Sequence, residues 1–299
     1  MHSNLNFLAR CLFVGLAMLM AAAFSARAET DAEHVLRTTV EDIEKTLDAR
    51  VGVLVCDTAE RWEWGHRPDE RFLMASVFKS VLCGAVLARS DRKTLDLSEQ
   101  IEIRQQHILE YAPVTRQHVG QALSIGDLCL ATLDRSDNTA ANLLIDRLGG
   151  FGGVMAFLAQ VGDDVTRLDR LEPDLNTFVP GDPRDTTSPS AILSTWEAML
   201  LGDALSPASR AQLADWMGHG AVTGALIRPS VPANWRVVDK SGGGRHHTRN
   251  ILAMITPPAD APYLVAVFVS DTPADWRTRN AAVARIGAAV MDVIGQRVR

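Results

Sequence analysis

The sequence has no apolar run of about 18 residues, the length that a membrane-spanning helix requires. It also has no run of about five basic residues. Because its formal net charge is −6, a nucleic-acid partner is disfavoured. We find no internal repeat and no low-complexity segment. With 47% hydrophobic and 22% charged residues, the chain is globular and neither disordered nor fibrous.

The length of 299 residues indicates one large domain or two joined lobes. A chain of this size buries about three quarters of the surface that it exposes when unfolded. It therefore needs neither a disulfide framework nor a structural metal in order to fold.

The N-terminus has the pattern of a secretory signal. Arg10 ends a short basic region, Cys11–Phe24 is an apolar stretch of 14 residues, and Ala26-Arg27-Ala28 fits a small-x-small cleavage site. We expect residues 1–28 to be removed, so that the mature chain begins near Glu29 and is periplasmic or secreted. This removal takes away two arginines and no acid, which changes the net charge from −6 to −8. The alternative is an N-terminal anchor that stays uncleaved.

Cysteine is scarce, and three of the four cysteines lie after the signal. An odd number leaves at least one unpaired, and Cys56 lies in an apolar, strand-like run. Cys83 and Cys129 then form a candidate disulfide pair, which an exported protein can keep. The loop that they would close is worth roughly 4 kcal/mol. The alternative is two free buried thiols.

Hydrophobic periodicity and capping residues predict the main elements. We predict helices over residues 31–48 and 273–298, and further helices that start near Ser76, Ser124, Asn138, Ser188 and Ser206. We predict strands at Val51–Asp57, Trp62–Gly65, Trp235–Lys240, Ile251–Thr256 and Tyr263–Ser270.

This order of elements predicts a mixed α/β (α+β) fold. An antiparallel sheet built from both chain ends, residues 29–74 and 219–299, would be covered by the two terminal helices. Residues 75–218 would form an inserted, all-helical lobe. Within it, residues 167–187 have little periodicity, and a loop of that length in a compact domain is usually functional.

The first chemical pattern is S-x-x-K at Ser76 and Lys79. On a helix this spacing puts a hydroxyl and an amine on one face, where a neutral lysine can activate the serine as a nucleophile. Apolar neighbours would bury Lys79 and lower its pKa. The pattern alone is weak, because Ser90 and Lys93 match it too, in a charged segment that indicates a solvated helix end. A lysine that extends to the surface is the alternative for Lys79.

Two further tripeptides gain meaning only from their order. Ser136-Asp137-Asn138 by itself indicates a helix N-cap, and Lys240-Ser241-Gly242 by itself indicates a strand that ends in a glycine turn. The ordered set S-x-x-K, S-D-N, K-S-G closely matches the motifs of class A β-lactamases and penicillin-binding proteins, in which the third motif is K-T-G.

Over essentially the whole mature length, the chain resembles a class A serine β-lactamase. Glu172 and Asn176 match the E-x-x-L-N pattern of the family's Ω-loop, and Asp185-Thr186-Thr187 resembles the end of that loop. Cys83 and Cys129 fall where many members carry a disulfide. The stretches 111–144 and 168–176 look most like the carbenicillin-hydrolysing branch, many members of which have Arg where this chain has Lys240.

The resemblance implies a fold and a set of catalytic residues. The fold is that of serine β-lactamases and penicillin-binding proteins, and the reaction proceeds through an acyl-enzyme on Ser76. Lys79 would link Ser76 to Ser136, and Ser136 would protonate the departing ring nitrogen. The backbone N–H groups of Ser76 and Gly243 would form the oxyanion hole. Whether Lys79 or Glu172 is the base for acylation stays open.

Removal of the acyl group would need Glu172 and Asn176 to hold and deprotonate a water. Their carboxylate and amide groups lie four residues apart around a turn, so they can converge on one site. The alternative for Glu172 is a solvated glutamate before a loop proline. Arg170 and Asp185 have the charges to clamp the ends of the loop, and we expect this pair to be partly buried, because an exposed pair is worth little.

The resemblance also implies how a substrate would be recognised. The carboxylate would bind to the strand residues Lys240, Ser241 and Gly242 and to Arg249, which follows Lys240 by nine residues. Asn138 would bind the acylamino group. Tyr111 would form a wall of the site, with core packing as its alternative.

Several expectations concern partners and substrate range. Ala75 and Gly244 occupy the places where carbapenem-hydrolysing relatives often carry a bridging cysteine pair, which argues against that range. Arg245 and the pair His246-His247 border the site, and adjacent residues on a strand point to opposite faces, which argues against a metal. We expect no metal, no cofactor, no nucleic acid, no stable membrane association after cleavage, and a monomer.

Two other functions share the three motifs. One is a D-alanyl-D-alanine peptidase, and the other is a sensor domain that binds penicillin without turnover. Neither gives a reason for Glu172 and Asn176, so the sequence favours a hydrolase that acts on penicillins and some cephalosporins.

Overall fold

The computed structural model describes residues 29–244 and 247–298. The predicted signal sequence, residues 1–28, lies outside the described residues, as do Arg245 and His246.

The predicted strands and α-helices are present in the predicted order, together with further elements that the patterning does not predict. The helices are α1 (Asp31–Leu47), α2 (Phe78–Asp91), α3 (Ile125–Asp134), α4 (Asn138–Arg147), α5 (Phe151–Gln160), α6 (Pro189–Leu200), α7 (Pro207–Gly218) and α8 (Trp276–Arg297). The strands are β1 (Arg50–Asp57), β2 (Glu63–His66), β3 (Phe72–Leu73), β4 (Gln100–Glu102), β5 (Ala122–Ser124), β6 (Thr186–Thr187), β7 (Arg236–Gly243), β8 (His247–Thr256) and β9 (Tyr263–Thr272). Short 3₁₀ helices occur at Ala75–Val77, Gln105–His107, Thr115–His118, Asp174–Asn176 and Arg228–Ser230.

A five-stranded sheet contains strands from both ends of the chain. Its order is β2-β1-β9-β8-β7, and all neighbours are antiparallel. At its centre Val267 of β9 pairs with Val53 of β1 on one side and with Ile251 of β8 on the other. The predicted mixed α/β fold with an antiparallel sheet is confirmed.

Both faces of this sheet are buried. Because successive side chains of a strand point to opposite faces, each strand contributes residues to the core on both sides. In β9, Val265, Val267 and Val269 pack in a core with the terminal helices α1 and α8. Leu264 and Phe268 point the other way, into a second core shared with α2 through α7. The central strands therefore consist largely of apolar residues.

Capping residues define the starts of several helices in the insert. Ser124 accepts a hydrogen bond from the backbone N–H of Asp127 at the start of α3, and the side chain of Asp127 completes a capping box. Ser188 and Ser206 cap α6 and α7 in the same way. Near Ser76 a 3₁₀ turn comes first, and α2 begins at Phe78.

The insert also differs from the sequence-based expectation. The prediction missed α5, because glycines precede and open it and weaken its helical pattern. Contrary to the expectation, residues 75–218 are also not all helical. They contain β4 and β5, which pair with each other, and β6, which pairs with β3. In the described part of the chain no single helix is long and apolar enough to cross a membrane. Helices α4 and α5 reach that criterion only as a pair bent by 77°.

The expected disulfide between Cys83 and Cys129 is not formed. Both cysteines are buried free thiols, and Sγ of Cys83 points to the carbonyl oxygen of Cys129 at 3.8 Å. Burial raises the pKa of the Cys129 thiol well above its ordinary value, and the neighbouring Cys83 adds to this effect. The structure therefore has the alternative of two buried thiols.

We expect Gly52→Ala to destabilise the fold. A methyl group on Gly52 would lie 2.5 Å from Cε2 of Phe72, whose buried ring stacks on Phe268. The clash should lower the free energy of unfolding by about 1–3 kcal/mol, measured by urea denaturation. Gly295→Ala is the control, because nothing lies within 4 Å of that position in α8. It should raise stability by about 0.5–1 kcal/mol, and equal effects of both variants would contradict this account.

Candidate active site

A cavity of about 870 Å³ opens where the edge strand β7 meets the helical insert. Eight of the twelve predicted catalytic and binding residues line it: Ser76, Tyr111, Ser136, Asn138, Asn176, Ser241, Gly243 and Arg249. The other four, Lys79, Glu172, Lys240 and Gly242, are buried. Each of these four contacts a residue that lines the cavity.

Ser76 is presented by a tight turn in front of α2. Ala75, which precedes it, has a positive φ of 45°, a conformation that is uncommon for a residue other than glycine. Asn250 of β8 donates hydrogen bonds to the carbonyl oxygens of Leu73 and Met74, at 2.9 and 3.0 Å. The sheet thus holds the turn that carries Ser76. No local pattern in the sequence indicates this contact of Asn250.

Strand β7 approaches the same turn closely because it has a glycine at the contact. A methyl group on Gly242 would lie 2.5 Å from the carbonyl oxygen of Met74 and 3.2 Å from the backbone nitrogen of Ser76. This contact places the adjacent residue, Gly243, on the cavity surface near Ser76.

Lys79 is completely buried behind Ser76. Its Nζ donates to the carbonyl oxygen of Ser136 at 2.8 Å and to Oδ1 of Asn138 at 2.7 Å, and it lies 3.3 Å from Oγ of Ser136. Within the described residues no hydrogen bond joins it to Oγ of Ser76. Burial lowers the pKa of Lys79, although the charge of Glu172 acts in the opposite direction.

The S-D-N segment combines a helix cap and a residue that faces the cavity. Asp137 caps α4 through the N–H of Ala140 and also accepts hydrogen bonds from Thr115, so the N-cap interpretation holds for this residue. Ser136 has a φ of 58° and faces the cavity, and its Oγ is 3.2 Å from Nζ of Lys240. Two buried amines thus contact one serine hydroxyl.

Lys240 lies behind the cavity wall and not on its surface. It is completely buried, and its Nζ donates to the carbonyl oxygen of Ser241 at 2.9 Å as well as to Ser136. Burial lowers its pKa well below the ordinary value, and the charges of Lys79 and Arg249 lower it further. Any contribution of Lys240 to anion binding therefore comes through its contact with Ser136.

The carboxyl side chain of Glu172 is fully buried next to Lys79. Its Oε1 lies 3.0 Å from Nζ of Lys79, and its Oε2 accepts a hydrogen bond from Nδ2 of Asn176 at 2.5 Å. The interpretation of Glu172 as a solvated loop residue is therefore wrong. Apart from the ion-pair contact, Oε1 of Glu172 and Oδ1 of Asn176 are buried acceptors without a hydrogen-bond donor among the described residues.

Asn142 of α4 fixes the backbone around Glu172. Its Nδ2 donates to the carbonyl oxygen of Glu172 at 2.9 Å, and its Oδ1 accepts from the N–H of the same residue at 3.0 Å. The sequence analysis did not identify Asn142, because nothing in the local pattern distinguishes it from an ordinary helical asparagine.

The ends of the long loop over residues 167–187, which we call the Ω-loop, are joined by a partly buried ion pair. Nε of Arg170 lies 2.5 Å from Oδ2 of Asp185, whose side chain is fully buried. Oδ1 of Asp185 also accepts the backbone N–H groups of Asp169 and Arg170, and Asp169 accepts the N–H of Asp185 in return. The expectation of a partly buried pair is confirmed.

The predicted anion-binding residue Arg249 lies on the cavity wall and is nearly buried. It donates to Oδ1 of Asn280 and to the carbonyl oxygen of Gly242, and its guanidinium carbon lies 4.4 Å from the ring centroid of Trp276. Burial lowers its pKa to about 10, with a further contribution from Arg279. Arg249 therefore stays cationic at neutral pH.

Tyr111 also lines the cavity and is 49% exposed, so core packing is not its role. Its carbonyl oxygen accepts the backbone N–H of Asn138, which places the two residues together. Since Oδ1 of Asn138 is already bound by Lys79, its amide NH₂ is the group left to meet a ligand.

The arrangement has the parts that acyl transfer requires. Ser76 lines a cavity whose wall carries the cationic Arg249, and two buried amines, those of Lys79 and Lys240, contact the hydroxyl of Ser136 in the same cavity. A buried carboxylate lies next to one of the amines. Among the described residues we find no group of three His, Cys, Asp or Glu residues that could hold a metal ion.

Comparison with known proteins gives consistent matches. Residues 35–294 match the model of the β-lactamase enzyme family. A β-lactamase of Rhodobacter capsulatus is 49% identical over 280 residues, which cover 94% of this chain and 95% of that protein. The crystal structure of a β-lactamase from Xanthomonas campestris has a TM-score of 0.86 and 43% identity, and it covers 88% of this chain and 99% of that one. The structure of an ancestral class A β-lactamase has a TM-score of 0.84 and 46% identity, and the match covers 86% of this chain and 99% of the ancestral one.

We expect Asn142→Ala to destabilise the protein through the Ω-loop. The change leaves the buried N–H and C=O groups of Glu172 without their partners, which should lower the free energy of unfolding by about 1–3 kcal/mol. Urea denaturation measures the difference. Asp146→Ala serves as the control, because Asp146 is exposed on the same helix. A variant of Asn142 as stable as this control would contradict the assigned contact.

Proposed function

Because the chain belongs to the class A serine β-lactamase family and is a hydrolase acting on β-lactams, we propose that it opens the ring amide of penicillins and some cephalosporins through an acyl-enzyme on Ser76. The observation that carries this proposal is the buried carboxylate of Glu172, held by Asn176 beside Lys79. A buried carboxylate at this place can deprotonate the water that hydrolyses the acyl-enzyme, a step that a protein that only binds penicillin does not need.

In the first step, Oγ of Ser76 attacks the carbonyl carbon, and its proton passes to the Lys79–Glu172 pair. The backbone N–H groups of Ser76 and Gly243 stabilise the oxyanion that forms. Ser136 then gives its proton to the ring nitrogen as the carbon–nitrogen bond breaks. Lys79 lies 3.3 Å from Oγ of Ser136 and can return a proton to it.

In the second step, the acyl-enzyme ester is hydrolysed. We assign the attacking water to Oε1 of Glu172, whose one polar contact is the ion pair with Lys79, and to Oδ1 of Asn176; both are buried acceptors without a hydrogen-bond donor among the described residues. Glu172 takes one proton of this water, and the oxygen attacks the ester carbon. The bond to Ser76 breaks, and the proton that Glu172 took from the water is passed to the oxygen of Ser76, which restores the starting enzyme. This step gives turnover, which the sensor alternative does not require.

Recognition is assigned to both sides of the cavity. Arg249 and Ser241 bind the substrate carboxylate, and Lys240 acts from behind the wall through its contact with Ser136. The amide of Asn138 binds the acylamino group, and Tyr111 forms the wall beside it.

The proposal places the mature enzyme in the periplasm or outside the cell as a monomer. The basic, apolar and small-residue regions of residues 1–28 support export, whereas the monomer is what the family resemblance implies.

Glu172→Ala should trap a covalent adduct. Without the carboxylate, no group deprotonates the water, so the acyl-enzyme formed with a penicillin persists. Intact-protein mass spectrometry should show the protein mass increased by one penicillin, while the unmodified enzyme shows no lasting adduct and hydrolyses many equivalents. Ser76→Ala should give neither an adduct nor turnover. A Glu172→Ala enzyme with normal turnover would contradict the role of the carboxylate.

Expression of the full chain in a Gram-negative host should yield a protein that begins near Glu29. The small-x-small site at Ala26-Arg27-Ala28 predicts this cleavage. N-terminal mass analysis of the periplasmic fraction measures it. An Ala28→Leu variant, in which the small residue is lost, should retain the leader. A full-length protein found in the membrane fraction would support the uncleaved anchor instead.

A further inference from the structure

The indole ring of Trp276 is exposed to solvent at one wall of the active-site cavity. Trp276 is the first residue of α8, lines the cavity and is 47% exposed. A large exposed apolar group at a ligand cavity is informative, because burial would have removed its surface from water. The mechanism above gives Trp276 no part.

The ring lies beside the groups assigned to the substrate carboxylate and the oxyanion. Its centroid is 4.4 Å from the guanidinium carbon of Arg249. A methyl group on Gly243 would lie 2.7 Å from Cζ3 of the indole, so the six-membered ring packs against the backbone of Gly243. A substrate with its carboxylate at Arg249 and its carbonyl oxygen at Gly243 therefore passes close to this ring.

The chemistry of the substrates shows what would meet the indole. In a cephalosporin, the carbon next to the carboxylate-bearing carbon carries a variable substituent, which is often a planar heterocycle. In a penicillin, the corresponding neighbour carries two methyl groups. A planar substituent at that point can stack on an indole, whereas methyl groups offer less contact area.

The second exposed ring of the cavity serves the other end of the substrate. Tyr111 is hydrogen-bonded through its backbone to Asn138, the residue assigned to the acylamino group. Trp276 contacts Arg249, the residue assigned to the carboxylate. The two rings are therefore placed to contact different substituents.

We propose that Trp276 is a specificity-determining residue that binds a planar substituent adjacent to the substrate carboxylate. It favours neutral or anionic rings over cationic ones, because the guanidinium carbons of Arg249 and Arg279 already lie 4.4 and 5.5 Å from the indole centroid. This inference rests on the proposed hydrolysis of β-lactams. The competing explanation is that Trp276 only supports Arg249 through a cation–π contact.

The test compares two cephalosporins with the same acylamino group. One carries a methyl group beside the carboxylate-bearing carbon, and the other carries a neutral aromatic heterocycle there. KM is measured for both, or Ki against penicillin hydrolysis where turnover is slow. Trp276→Ala should weaken binding of the heterocyclic compound about three- to tenfold more than binding of the methyl compound. Trp276→Phe should keep most of the difference, since a ring remains.

Tyr111→Ala is the matched control, and it should change the two compounds by the same factor because they share the acylamino group. An equal loss for both compounds in Trp276→Ala would show that the ring only supports Arg249 and would overturn the proposal, as would no change for either. Penicillin turnover by the unmodified enzyme is measured first. An inactive enzyme would overturn the proposed function, whereas an active one with an unchanged ratio would overturn only the role of Trp276.

Discussion

The buried ion pair between Lys79 and Glu172 is the interaction on which the active site depends. Each charge alone would be costly away from water, and the 3.0 Å contact offsets part of that cost. The remaining donors of Lys79 are taken by oxygens of Ser136 and Asn138. To satisfy one buried amine, three separated segments of the chain must therefore come together, and their meeting forms the back of the cavity.

The Ω-loop must be rigid for this pair to exist, since a glutamate on a mobile loop would turn to water. Three sets of contacts hold it. Arg170 and Asp185 join its ends, Asn142 binds the backbone on both sides of Glu172, and Asn176 binds the carboxylate itself. Two of these contacts involve buried charged groups, which cost much more to break than exposed pairs do. The carboxylate of Glu172 is thus positioned by the fold and not by its own loop alone.

Local patterns predicted most of the fold. Serine caps at Ser124, Ser188 and Ser206 marked helix starts, because a cap involves residues only three apart. The strands near the C-terminus were recognisable by their apolar runs, although the structure extends β8 back to His247. Helix α5 was missed because its glycines have weak helical propensity, and tertiary packing of Val154, Phe157 and Leu158 outweighs that weakness. The expected disulfide is not formed. Sequence position could not decide this, because a disulfide also requires a specific geometry of the two cysteines.

The sequence by itself determined which chemical groups are available and in what order: a serine with a lysine one helical turn away, a second serine before a helix cap, a lysine at a strand end, and a glutamate with an asparagine in a long loop. The tertiary structure decided how these groups are used. It buried Lys240 behind Ser136, used Asp137 as the cap while Ser136 faces the cavity, and brought Asn250 to a turn 176 residues away at Met74. The physical reason is that capping and periodicity depend on residues close in sequence. Burial, and the polar partners that burial requires, depend on segments that meet only when the chain is packed.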